Sequence, residues 1–142
     1  MTVPRCAPLD GYSIYDPVDP FENHAGPFHW RRRDDGGNHF VMMAQSRHCN
    51  RHGIVHGGLM MTMIDLTMVV AAKQNRTEML VTVSLNTEFV DSGRSGDLIE
   101  GIGELVRRTR SLAFVRGRIF TGERTLLTAS AVLKLIRPRD GV

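Results

Sequence analysis

HGGLMMTMIDLTMVVAA, residues 56–72, decides the fold. Two glycines open the run, and apolar side chains then follow on every face, so a period of 3.6 leaves no stripe for solvent. The stretch is shorter than a bilayer span and carries Asp65, which makes it a buried helix rather than a membrane segment. Other parts of the chain must cover such a helix. Asp65 is its most informative residue, because a carboxylate inside an apolar element is costly unless it is paired, hydrogen-bonded or used in chemistry. The residues alone leave two readings open: a structural Asp bonded to an Arg or a backbone amide, or a general base or nucleophile.

The flanks read as strands. FHWRRR (28–33) and NHFVMMAQS (38–46), separated by DDGG, form a hairpin, and SRHCNRHG then makes a polar loop ending at Gly53. After the helix, LVTVSLNTEFV (80–90) alternates, with Val81, Val83, Leu85 and Phe89 expected on one face and Thr82, Ser84, Asn86 and Glu88 on the other. Three further runs, DLIEGIGELV, SLAFVRGRIF and TLLTASAVLKLI, complete an order of two strands, one long helix and four strands. Gly101, Gly103, Ala113, Gly117, Ala129 and Ala131 share a face of the last three strands, where small side chains would let a thick helix lie close to a curved sheet. Alternatively, the glycines mark bulges and bends. Residues 1–27 hold five of the six prolines and read as an irregular arm or short helix; 28–137 form the domain and 138–142 a tail.

A chain of 142 residues supports one domain with a continuous core. Two cysteines without a CxxC pattern point to a reducing, cytoplasmic setting, and the start MTVPRCAPLDGYS shows no secretory signal. Sixteen of the eighteen basic residues are Arg, which favours bidentate contact with a phosphate or carboxylate ligand. No helix-turn-helix, RNP or zinc-finger pattern is present, so neither nucleic acid nor a membrane is an expected partner. His48, His52 and His56 are spaced like one helical face, but Gly53, Ile54 and Val55 oppose a helix there and no acidic or Cys ligand completes a set. No metal and no cofactor are assigned.

NRHGIVHGGLMMTMID (50–65), followed by VTVSLNTEFVDSGRSGD (81–97) in this element order, resembles the hotdog-fold acyl-CoA thioesterases of the phenylacetic-acid-degradation type over residues 21–136. The resemblance implies an α+β fold, an antiparallel sheet wrapped around a central helix, and a homo-oligomer, dimer or dimer of dimers, with active sites shared between subunits. It implies an acyl-CoA substrate and Asp65 as catalytic carboxylate. Asn50 would hydrogen-bond the thioester or the attacking water, His56 would orient the thioester or the loop, and Thr82 would position water. Gly57 and Gly58, at the helix start, offer unpaired N–H groups to an oxyanion.

Each residue has a plainer alternative. The Gly pair could only make the turn, Asn50 could cap a loop, and Thr82 could be an ordinary strand residue. Met60, Met61, Met63 and Met68 suit an adaptable acyl pocket or a plain core. Arg107, Arg108 and Arg110 form either a solvated basic turn or a contact for coenzyme A phosphates. Two rival functions remain: a non-catalytic acyl-CoA-binding regulatory module, and a hotdog hydratase or dehydratase, which the Asn50 to Asp65 spacing fits less well.

Overall fold

A computed structural model describes residues 9–137. The chain forms β1 (Ser13–Ile14), α1 (Pro20–Ala25), β2 (His29–Arg32), β3 (Asn38–Met43), a 3-10 turn (Ser46–His48), α2 (Gly57–Ala72), β4 (Met79–Phe89), β5 (Leu98–Arg108), β6 (Leu112–Thr121) and β7 (Arg124–Ile136). All seven strands join one antiparallel sheet in the order β1-β2-β3-β5-β6-β7-β4, and α2 lies across it. This is the expected α+β arrangement.

Close approach of helix and sheet rests on the small residues. A side chain at Gly117 would begin 2.7 Å from Ile64 Cδ1, and one at Gly103 would begin 3.0 Å from both Ala71 Cβ and Thr67 O. Any larger residue would push the helix off the strands. Met63, Ile64 and Met68 are thereby fully buried, and the Thr67 hydroxyl is satisfied by donating to Met63 O at 2.7 Å. Met60, Met63 and Met68 are core, while Met61 is half-buried.

Two expectations need correction. The sheet covers only part of α2: Leu59, Met61, Thr62, Asp65 and Val69 remain half-exposed, so the helix is not enclosed by its own chain. In β4 the simple alternation fails. Thr82 pairs with Leu133 and Ser84 with Val132, so Val83 is an extra residue, a β-bulge that shifts the phase. Leu80, Thr82, Leu85, Thr87 and Phe89 therefore stand opposite the inward-facing residues of β7, whereas Val81 and Val83 are 47% and 61% exposed.

The two ends of the sheet differ. At one end β4 is an edge strand. At the other, β3 pairs with β5 only as far as His39 opposite Ile102, so the remainder of β5, from Gly103 to Arg108, has a strand on one side only. The arm before β2 is pinned near that end: Tyr15 packs edge-on against Trp30 and Phe40, and the Tyr12 hydroxyl meets His39 Nδ1 at 2.6 Å.

Candidate active site

The loop before α2 is built by its own polar groups. Asn50 Oδ1 accepts from the N–H groups of His52 (2.9 Å) and Ile54 (3.3 Å), and the Asn50 carbonyl accepts from Gly53 N–H at 3.0 Å. The Asn50 amide nitrogen has no partner among the described residues, so it remains available as a donor.

His56 is the N-cap of α2. Its Nδ1 accepts from Gly58 N–H at 2.8 Å, which leaves that nitrogen unprotonated and the ring held over the first helical turn. Gly58 N–H is thus already used. Gly57 N–H is not: it lacks a partner among the described residues, at the positive end of the helix dipole. Of the two glycines, Gly57 is therefore the one equipped to hold an oxyanion. A side chain there would begin 3.1 Å from the Phe89 ring, so glycine also makes room for that aromatic.

The three His of the apparent helical spacing do not share a helix. His48 closes the 3-10 turn, is buried, accepts from Gln45 N–H at 3.0 Å and meets Gly26 O at 3.1 Å through Nε2. Burial holds its pKa below the usual His value, so it stays neutral. Its carbonyl accepts from His56 N–H at 2.9 Å, which ties the end of α1 to the start of α2.

Asp65 sits in the middle of α2 and is half-buried. The Thr82 hydroxyl donates to its Oδ1 at 2.6 Å, while Oδ2 has no partner among the described residues. Among the described residues no Arg pairs with it, which does not support the structural reading of Asp65 as half of an ion pair. The bulge at Val83 is what turns Thr82 inward to make this bond.

β4 lies along one stripe of the helix. Thr82 meets Asp65, the Thr87 hydroxyl meets Met61 Sδ at 3.2 Å, and the Phe89 ring covers Gly57. Gly57 and Asp65 thus face the same sheet edge, yet eight residues of helix separate them by about 12 Å. The chain brings together Asn50, His56, Gly57 and Gly58 at one end, and Asp65 with Thr82 further along. That axial separation is well beyond the contacts of about 3 Å that near-attack geometry needs.

The three Arg separate too. Arg107 and Arg110 are exposed. Arg108 is only 13% exposed, bonded to both carboxylate oxygens of Glu78 and donating to Ala72 O at 2.9 Å, the last carbonyl of α2. That pairing holds Glu78 below the usual carboxylate range. Arg108 is consequently engaged within its own chain, which leaves Arg107 and Arg110 as the free members of the trio.

Glu22 on α1 escaped notice in the sequence, where it is one carboxylate in a proline-rich arm. Burial first, and then the charges of Asp19, Asp16 and Asp65, push its carboxyl up to about 7, with Lys73 acting weakly the other way. Its Oε2 is buried without a hydrogen-bond partner among the described residues. Between pH 4.5 and about 7 the folded chain therefore holds a proton that the unfolded chain has lost, so stability falls as pH rises through that window. Glu22→Gln, neutral throughout, should melt close to the parent at pH 4 and above it at pH 8. Solvent screening of a half-exposed group limits the gain to roughly 1 kcal/mol, or about 3 °C. Parallel melting curves for the two proteins across that range would remove the assignment.

Comparison with known proteins agrees with this geometry. Residues 52–128 match the thioesterase superfamily. A Pseudomonas aeruginosa protein provisionally named an esterase is 30% identical over 128 residues, which cover 89% of this chain and 96% of that protein. A solved Ralstonia eutropha structure, provisionally named a thioesterase and phenylacetic acid degradation-related, superposes with a TM-score of 0.71 at 25% identity, over 82% of this chain and 90% of that one. A hypothetical thioesterase of Streptococcus pneumoniae, solved with coenzyme A, shares the fold with a TM-score of 0.69 at 20% identity, over 80% and 88% of the two chains. The architecture is that of the hotdog fold. A family match spanning Gly57, Asp65 and Thr82, joined to a relative aligned over most of the chain, shows that this protein belongs to the thioesterase superfamily.

Proposed function

We propose that the protein is an acyl-CoA thioesterase, hydrolysing an acyl- or aryl-acyl-CoA to the free acid and coenzyme A, in a cytoplasmic setting and with a homodimer as its smallest active unit. The observation that carries this reading is the Thr82–Asp65 pair: one carboxylate oxygen held at 2.6 Å, the other open, on a helix face that its own chain leaves half-covered. Gly57 N–H and the Asn50 amide of one protomer would hold the thioester carbonyl, opposite Asp65 of the partner subunit. That carboxylate takes a proton from water as the water attacks, Gly57 N–H stabilises the oxyanion, and the C–S bond then breaks with the proton returning to the sulfur. Direct attack by Asp65 through an anhydride uses the same geometry.

Pairing of protomers along β4 is supported by that strand's free edge and by exposed Met79, Val81 and Val83. Coenzyme A as the thiol half is supported by the fold neighbour solved with it.

Thiol release measured over a panel of acyl-CoA and acyl-pantetheine esters tests the activity. Turnover of at least one aryl-acyl or medium-chain ester is expected; binding without turnover would leave a regulatory module instead. The same panel tests the phosphate contact. Arg107→Ala with Arg110→Ala should raise KM for acyl-CoA by about twofold to fivefold at low salt with kcat kept, because exposed charges each contribute about 1 kcal/mol or less to ground and transition states alike. Equal increases for the pantetheine ester, which lacks the nucleotide phosphates, would refute that contact.

A further inference from the structure

The far end of the sheet holds a second cleft. Where β5 outruns β3, the β2–β3 turn and the end of α2 close around the gap and leave a cavity of about 1200 Å³. Its walls combine apolar surface with charge. Trp30, Val70 and Leu105 supply the apolar part.

The charge is one-sided: six basic side chains line the cleft against the three carboxylates Asp16, Asp35 and Glu104. The excess in this one cleft equals the formal charge of the whole chain, +3. Some of the cations are committed elsewhere, since Arg33 pairs with Asp35 at 2.7 Å and Arg118 lies 4.3 Å over the Phe120 ring. Arg32 and Arg76 are exposed, and their side chains have no partner among the described residues, whereas Arg116 stands opposite Glu104 on the sheet face turned away from α2. The negative end of the α2 dipole would by itself repel an anion here, but Arg108 already donates to its last carbonyl and Lys73 follows directly.

We propose that this cleft is a nucleotide-binding site, with phosphates on Arg32 and Arg76 and the base against the apolar wall that includes Trp30. Guanidinium forks match phosphate oxygens two at a time, and two free ones suit a pair of phosphates better than a single carboxylate. The volume also exceeds what a small aryl acid would fill. The site is distinct from the proposed acyl-CoA groove: Asp65 faces β4, whereas the cleft opens beside β2 and β3, and its lining reaches β6 and β7 but includes no residue of β4. It does not depend on the thioesterase reading.

Trp30 is the only tryptophan of the chain, so its emission reports on this cleft alone. Titrating the full chain with adenosine 3′,5′-bisphosphate at low salt should give a saturable change in Trp30 emission. Arg32→Ala combined with Arg76→Ala should weaken the apparent affinity about tenfold, as should a rise to physiological salt. Calorimetry on Trp30→Phe keeps binding measurable without the reporter. Neither a saturable emission change nor binding heat would overturn the proposal, as would an affinity unmoved by the double Arg variant. Saturation by phenylacetate at concentrations where the bisphosphate fails would replace the nucleotide with an aryl carboxylate. Simple competition between the bisphosphate and acyl-CoA in thiol release, abolished by the double variant, would make the cleft part of the substrate site and end its independence.

Discussion

Asp65→Asn is expected to lose at least ~100-fold in turnover while the protein folds normally, the scale associated with removing a general base or nucleophile. The amide keeps an oxygen where the Thr82 hydroxyl donates at 2.6 Å, and its volume fits the same half-buried position. What disappears is the charge and the basicity of the second oxygen. Thiol release at saturating acyl-CoA, with melting temperature and acyl-CoA affinity measured in parallel, separates the outcomes. Turnover near the parent value would exclude Asp65 from the chemistry. Loss of folding with loss of turnover would return it to a structural role, although no Arg partner stands beside it among the described residues.

A mixture of two inactive proteins should regain activity. Asp65→Asn subunits retain Asn50 and Gly57, Asn50→Ala subunits retain Asp65 and Thr82, and a hybrid dimer would contain one intact composite site of its two. With random exchange half the dimers are hybrids, so recovery should approach about a quarter of the parent activity. The separation of about 12 Å between Gly57 and Asp65 along α2 motivates the experiment. Exchange confirmed by mass with no recovered activity would show that each protomer completes its own site, by a movement that closes that gap.

Much of this was legible in the chain because it rests on local rules. A helix without a polar stripe, bracketed by alternating runs, specifies a sheet laid against a helix, and Gly101, Gly103 and Gly117 sit where that contact is tight. Asp65 stood out because burying a carboxylate is costly wherever it occurs. The illegible parts depend on distant partners. Nothing in RRTR distinguishes Arg108 from its neighbours until Glu78, thirty residues away, folds against it. Glu22 gains its unusual proton affinity only when α1 lies near α2. The basic cleft exists because β3 is shorter than β5, a difference of strand length that composition does not record.

The extra residue in β4 bears on how this site could have arisen or could be lost. A strand of strict alternation would send Val81 and Val83 inward and Thr82 out to solvent, which by burial alone is the more favourable arrangement. With Val83 bulged out, the outer half of the strand keeps its pairing to β7 while Thr82 is aimed at the carboxylate. Deleting that one residue would mend the ladder yet leave Thr82 opposite Leu133, still turned towards Asp65. What would part the pair is a slip rather than a loss: if the strand kept Val83 but straightened the bulge, Thr82 would turn to solvent and Asp65 would lose its hydroxyl partner with every residue still in the chain.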